Sequence, residues 1–433
     1  MKTTIRTSAV LALLSSASAF GAITQQQIDA AAAKVDADVV AWRRDIHQHP
    51  ELSNREVRTS ALVAEHLRKL GLEVKTGIAH NGVTAVLKGG KPGPTIALRA
   101  DMDALPVVEQ VDVPFKSTVT TEYLGKTVGV MHACGHDAHT ANLMGIAQAM
   151  VSLRKDLPGT VLFVFQPAEE GVPEGETGGA AQMLKEGIFT ANKPEAVFGL
   201  HVVSGIPSGT IGYRPGPFMA ASDAFRIDVR GRQSHGSKPW GGIDPIVASA
   251  QIVLGLQTIV SRQIDITELP AIVTVGKIDG GVRHNIIPDS VEMRGTVRTF
   301  DPKMRGDIIE RMRHTAENIA ASSGATATLT MGTDPNPVVD NDRKLTERSL
   351  PSLRKVVGAD KVQQIPLQTG SEDFAFYGQH APAFFFFVGV TPPGPEVAKA
   401  ASNHSPLFYI DEPAIAVATR ALMTVAIDYL QKK

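Results

Sequence analysis

The chain has 433 residues, 43% hydrophobic and 20% charged, an ordinary globular composition with material for about two domains. A formal net charge of −1 gives no electrostatic reason to expect a nucleic acid or an anionic membrane as partner, so a small molecule is the expected ligand. The single cysteine cannot form an internal disulfide, which excludes a disulfide-stapled fold.

Lys2 and Arg6 precede an apolar run over 9–14, and small residues follow to Ala17, Ser18 and Ala19. That order marks a secretory signal, too short to span a bilayer, so residues 1–21 are set apart and the mature chain is expected in the periplasm or outside the cell. No later run reads as apolar enough for a transmembrane helix, so no membrane partner is expected.

Apolar residues recur at helical spacing over 28–46 and again over 55–70, where Gly71 is a stop signal. Short β-rich runs follow over 82–88 and 94–101, the second almost wholly apolar as a buried strand should be, and Asp101 and Asp103 stand where it ends. HACGHD, 132–137, opens a helix. The apolar strand TVLFVFQPAEEG, 160–171, closes on Glu169 and Glu170, and EAVFGLHV closes on His201. Strands alternating with helices predict an α/β fold, a mostly parallel open sheet flanked by helices, with ligands at the carboxyl ends of the strands. Asp101, Glu169, Glu170 and His201 are all expected at such ends.

Near residue 221 the pattern changes to strands that alternate apolar with polar residues, separated by two amphipathic helices. The order β-α-β-β-α-β predicts an inserted α+β, ferredoxin-like domain over 221–331, dividing the larger domain into 22–220 and 332–433. The second segment holds an amphipathic helix before Gly358, GSEDFAF, and a strand with four phenylalanines from Phe384, read as a buried central strand. His404 falls in the loop before a long helix over 412–430.

Cys134 and His136 combine a soft thiolate and an imidazole two positions apart, a metal-binding pair. Taken alone, such residues are as readily core and capping residues. A free thiol in an oxidising compartment is protected by burial or by a metal. Adjacent acids after a buried strand are costly unless cations offset them, although a solvated turn before GVPEGETGG is the plainer reading of the pair. One carboxylate of the two can ligate while its neighbour takes a proton from water, whose pKa a metal lowers from about 15.7 to about 7. Together Cys134, His136, Glu169 or Glu170, His201 and His404 exceed the needs of one tetrahedral ion. Two ions about 3.5–4 Å apart, sharing a thiolate bridge and a water, would use them all. Sulfur and imidazole favour zinc, and manganese, cobalt and nickel are also compatible.

RADMDALP, MHACGHDAH, FQPAEEG, GLHV, SHGSKP with GGIDPI, HNIIPD and NHSP, in this order, resemble the metal-dependent amidohydrolase family of hippurate hydrolases, aminoacylases and auxin-amino acid conjugate hydrolases, relatives of glutamate carboxypeptidase. The resemblance runs from about Val39 to the C-terminus. It implies that Cys134, His136, Glu170, His201 and His404 bind two divalent metal ions, that Glu169 is the general base and later acid, and that Asp101 orients the metal site. His139, one helical turn beyond His136, is expected behind the ligands or in the core. The resemblance further implies that the inserted domain is a lid and makes a homodimer, with His235 reaching the partner's active site to stabilise an oxyanion and Asn285 as a second polar contact. The plainer reading of His235 is a loop histidine on a Gly/Ser-rich turn.

The implied substrate is an N-acyl amino acid or small peptide with a free α-carboxylate, for which Arg298 and Arg283 are the candidate clamps. After His235 the chain reads GSKPW, where the family pattern has Ala-Ala and a histidine, so Trp240 bears on the acyl pocket and leaves the acyl group open. Two other readings remain: an amidase with Cys134 as nucleophile, and an exported metal-binding protein without catalysis. There is no G-x-S-x-G, Walker A loop or G-x-G-x-x-G to support serine or nucleotide chemistry.

Overall fold

The computed structural model describes residues 21–431 except 334 and 396. The secretory signal expected over 1–21 therefore lies, but for Gly21, outside the described residues. Helices α1 (Gln25–Ala33), α2 (Asp36–Gln48) and α3 (Val57–Lys69) come first. The single helix predicted over 28–46 is two. Thr24 and Gln27 form a capping box on α1, and Asp36 and Asp38 start α2 afresh, where acidic side chains favour the positive helix end.

Strands β1 (Glu73–Ile78), β2 (Gly82–Lys88) and β3 (Lys91–Asp101) follow, then a surface hairpin of β4 (Thr120–Tyr123) and β5 (Lys126–Gly129). Next come α4 (His136–Ser152), β6 (Pro158–Gln166), α5 (Gly179–Lys185), β7 (Ala196–Pro207), β8 (Ile211–Tyr213) and β9 (Gly216–Met219). The insert comprises β10 (Ala221–Arg230), β11 (Ser234–His235), α6 (Pro245–Thr258), β12 (Ile272–Asp279), β13 (Ile286–Ile287), β14 (Ser290–Thr299), α7 (Pro302–Ser322) and β15 (Thr326–Met331). The chain returns through β16 (Val339–Asn341), α8 (Arg343–Val357), β17 (Val362–Gln364), α9 (Ala375–Gly378), β18 (Ala383–Thr391) and α10 (Pro413–Gln431).

The large sheet has the order β1-β2-β6-β3-β7-β18-β8-β17. Its centre, β6-β3-β7-β18, is parallel, while β1 and β2 at one edge, and β8 against β18, run antiparallel. Helices cover both faces, so the central strands are apolar throughout rather than alternating. Every residue of β18 is buried. Its four phenylalanines divide by parity: Phe384 and Phe386 join the core under α4 and α10, and Phe385 and Phe387 the core under α5 and α9. α10 corrects one expectation, since it is long and apolar enough to cross a bilayer. In the fold its apolar surface packs against the large sheet, α4 and α8, and most of it is buried.

His201 does not end its strand, because β7 continues to Pro207. Pairing with β3, however, stops at Gly199, and beyond it β7 keeps only β18 as neighbour. His201 thus stands at the carboxyl edge of the shared sheet although its own strand runs on.

The insert forms its own antiparallel sheet, β12-β14-β10-β15. β10 alternates strictly, with Phe225, Ile227 and Val229 inward and Ala224, Arg226 and Arg230 exposed, because α6 and α7 cover one face only. Two short pairings lay the outgoing and returning crossings side by side, β9 with β16 and Ser222 with Asn336. A second feature, the two-residue ribbon of β11 and β13, has no periodic signal in the sequence and carries His235.

Candidate metal centre

Three loops and one strand deliver the candidate ligands to the carboxyl side of the large sheet. Cys134 and His136 flank Gly135, which caps α4 at φ +100°, and a Cβ there would lie 2.2 Å from Val202 Cγ2. Only glycine lets the loop pass β7 closely enough to set both ligands. His404, at φ +72°, is strapped to that loop by its N–H, which donates to Ala133 O at 2.8 Å. Asn403 tightens the strap: its Nδ2 donates to Cys134 O at 3.0 Å and Val202 O at 3.1 Å, and its Oδ1 accepts from Ser204 N at 3.1 Å.

The donor atoms converge. Cys134 Sγ lies 3.4 Å from His201 Nε2 and 3.2 Å from His404 Nε2. His404 Nε2 is 3.2 Å from Glu170 Oε1, and His136 Nε2 is 3.9 Å from both Glu169 Oε2 and Glu170 Oε1. Two donor sets emerge, Cys134 with His136 and His201, and Cys134 with Glu170 and His404; each set lies within 4.8 Å, and the thiol is common to both.

Hydrogen bonds on the far ring nitrogens fix which atoms are free to ligate. His136 Nδ1 donates to Asp103 O at 2.9 Å, and His201 Nδ1 donates to Val202 O at 2.7 Å, so each presents an Nε2 lone pair to the cluster. His136 Nε2 and Glu170 Oε1 are buried and accept no hydrogen bond. Orphaned buried acceptors of this kind, facing a thiol and two more imidazoles, fit divalent cations.

The charges agree. Burial opposes a proton on His136, yet Asp101, Asp103 and Glu170 raise its pKa to about 10. Anions that force a proton onto a buried imidazole form a field for cations. Burial, then Glu170 and Glu169, push the Cys134 thiol well above its usual range. A cysteine nucleophile requires the opposite shift, so these surroundings do not favour the cysteine-amidase reading. His201 is held well below the usual range by burial and by His139 and His136, and so stays an unprotonated ligand.

Asp101 does not hold a ligand's N–H. Its Oδ1 accepts from His139 Nδ1 at 2.6 Å, and His139 Nε2 accepts from Val202 N at 2.8 Å. Both His139 nitrogens are therefore committed, and the ring props β7 beside His201. Asp103, which the sequence reading placed at the strand end without a role, accepts from His136 Nδ1 through its carbonyl and from Glu170 N through Oδ2 at 2.9 Å. Arg99 was missed: it is buried and donates to Gln166, Asp101, Glu372 and Asp373 at 2.7–2.9 Å. A lone charge in an apolar strand was the available signal. Burial and the carboxylates of Glu372, Glu170 and Asp373 hold the Glu169 carboxyl well above the ordinary range, against Arg99.

The insert's candidates stand apart. His235 is exposed on β11, Asn285 and Arg283 precede β13, and Arg298 is on β14; among the described residues none joins the metal cluster within one chain. Ser237 N donates to His235 Nδ1 at 3.0 Å, which puts the ring proton on Nε2. Asn285 Oδ1 and Arg298 Nη1 are buried without partners, and burial lowers the Arg298 pKa. Trp240 is 81% exposed, so within one chain it lines no acyl pocket.

A sequence profile described as peptidase family M20/M25/M40 matches residues 97–428. The chain is 40% identical to thermostable carboxypeptidase 2 of Saccharolobus solfataricus over 91% of this chain and 96% of that one. It is 39% identical to the N-acetylcysteine deacetylase of Bacillus subtilis over 91% and 97%. A crystal structure of a Bacillus subtilis dinuclear metal-binding peptidase from the M20 family superposes with a TM-score of 0.77 at 36% identity, covering 93% of this chain and 99% of that one. Cluster, fold and kinship agree: the chain belongs to peptidase family M20/M25/M40, whose members the sequence motifs already resembled, and is a metal-dependent hydrolase of amide bonds.

Proposed function

We propose that the chain cleaves the amide bond of N-acyl amino acids or small peptides at a centre of two divalent cations held by Cys134, His136, Glu170, His201 and His404. The observation that carries this is the pair of donor sets sharing the Cys134 thiol, with Glu169 beside them. Cations bound there supply Lewis acidity toward the amide carbonyl and lower the pKa of water to about 7. Zinc suits the sulfur and imidazole donors best.

Glu169 accepts a proton from the attacking water and passes it to the amide nitrogen. The water oxygen ends on the carbonyl carbon, the C–N bond breaks, and the amine leaves with the proton. The crowding carboxylates that raise the proton affinity of Glu169 suit it to both transfers. Asp103 fixes the orientation of His136 and the main chain of Glu170, and Asp101 acts through His139 on β7.

The insert acts as a lid and pairs two copies, so that His235 of each serves the metal centre of the other as an oxyanion donor through Nε2–H. Support comes from the exposed, tautomer-fixed ring and from bare apolar surface on the same domain, where Val282 is 95% and Leu254 71% exposed. The basic, apolar and small-residue order of the first 19 residues supports export.

Assay of N-acetyl, N-benzoyl and indole-acyl amino acids and dipeptides with zinc, cobalt, nickel and manganese tests the reading. Turnover abolished by a chelator and restored by a divalent metal is expected. A metal-replete protein that cleaves none of them is a metal-binding protein instead, and the proposal fails.

A further inference from the structure

Two buried carboxylates hold the main chain on either side of Glu169. Glu170 N donates to Asp103 Oδ2, as described above, and Ala168 N donates to Glu56 Oε1 at 2.9 Å. Glu56 stands at the N-cap of α3, yet its side chain makes no bond to the open end of that helix. Glu51 serves there instead, accepting from Arg58 N and Thr59 N at 2.8 Å. The Glu56 carboxyl is thus left to reach the loop after β6, 112 residues further along the chain.

Ala168 needs such an anchor. Its φ is +53°, a left-handed conformation that disfavours any residue with a Cβ and persists only where the surroundings impose it. Were it to relax, the side chain of the next residue, Glu169, would swing off its line. The segment that supplies the acceptor is itself fixed. Glu56 Oε1 also accepts from Asn54 N at 2.9 Å, and Oε2 accepts from Asn81 Nδ2 at 3.1 Å. Asn54 Nδ2 in turn donates to Glu176 Oε2 at 2.9 Å and Thr177 O at 3.1 Å, further along the loop that carries Glu169. Ser53 Oγ donates to Asp103 Oδ2 at 2.7 Å, so one short segment, 53–56, braces both carboxylates.

We propose that Glu56 is a positioning residue for the proton transfer: through the Ala168 N–H it sets the backbone from which Glu169 reaches the attacking water. The inference rests on the role of Glu169 proposed above. It separates the tasks of the two carboxylates. Asp103 also orients His136, so it acts on the cations as well as on the loop, whereas the hydrogen bonds of Glu56 among the described residues reach none of the five ligands. Burial and the nearby Asp103 carboxylate push the Glu56 carboxyl up to about 8, so at neutral pH it is largely protonated and a glutamine matches it in shape and charge.

A double-variant cycle on the full metal-loaded chain, read with an N-acetyl amino acid that the wild type cleaves, tests this. Glu56→Ala should lower kcat about 10- to 100-fold while KM and metal content stay within about twofold of the wild type. Glu56→Gln, which keeps the Oε1 acceptor, should restore kcat to within about threefold. In a Glu169→Gln background, Glu56→Ala should cost less than about twofold further, because a residue that acts only through the base has nothing left to align. A merely structural role would lower the rate in both backgrounds. Glu56→Asp, shorter by one methylene, withdraws the acceptor from Ala168 and replaces the alanine variant if that one fails to fold. Full kcat in the alanine or aspartate variant, equal losses in alanine and glutamine, additive losses in the cycle, or metal lost along with the rate overturns the assignment of Glu56. A wild-type rate in Glu169→Gln alone overturns the proposed base instead, and the positioning role with it.

Discussion

The metal cluster and the β11–β13 ribbon hold the residues proposed for one reaction, yet they are built in opposite ways. At the cluster, His136 is wholly buried, and Cys134, Glu169 and Glu170 are nearly so. Ring tautomers are fixed by Asp103 and Val202, and Asn403 binds three chain segments together. At the ribbon, His235 is exposed, and the side-chain hydrogen bonds of its ring among the described residues are to Ser237 in its own turn. A site that must hold cations is complete within one fold. A donor needed only as negative charge develops can be supplied from outside it. Only His404 of the ligands shares the ribbon's character, with its side chain 55% exposed.

Removing metal attacks the first region and carries the largest expected effect. A chelator should abolish turnover, and Cys134→Ser should lose metal and activity together; a serine variant that keeps two metals and full rate would take the thiol out of both donor sets. Glu169→Gln comes next. It is expected to keep its metal while kcat falls roughly 10²- to 10⁴-fold, as loss of a general base does. If metal content drops with the rate, Glu169 belongs among the ligands.

His235→Ala probes the second region and should cost about 10²- to 10³-fold in kcat, with metal content intact. Mixing it with Glu169→Gln sharpens the comparison. Shared dimers would hold one intact pairing of base and donor and regain activity, whereas an inactive mixture would place His235 in its own chain's site.

Asp103→Asn is a smaller change and should weaken metal affinity about 10- to 100-fold, read by competition with a chromophoric chelator. Protons give the last test. Free of cations, Cys134 is held protonated, and His136, raised to about 10, is protonated at neutral pH. Binding must expel these protons, so affinity rises with pH. Calorimetry in buffers of differing ionisation enthalpy should register proton release; proton uptake would contradict the electrostatics.

The large sheet, the insert and the ligand set were legible because each writes a pattern into the chain. Buried strands read as apolar runs, β10 as strict alternation, and the candidate ligands as cysteine, histidine and paired acids in short motifs beside strands and at a helix start. What escaped depends on pairing in space. Nothing local distinguishes Asp101 from Asp103; only the fold shows that His136 turns its proton to the second and His139 to the first. Asn403 stood next to a ligand, but its three partners come from two distant segments. The break between α1 and α2 was hidden because helical spacing continues across it, and α10 passed for an ordinary helix because its apolar surface is spread around its girth.

The central claim is that two divalent cations share Cys134. Diffraction from metal-loaded crystals at the absorption edge of the bound metal tests it most directly. Two anomalous peaks about 3.5–4 Å apart, both beside the Cys134 sulfur, are predicted. A single peak, or a second one remote from that sulfur, would contradict it.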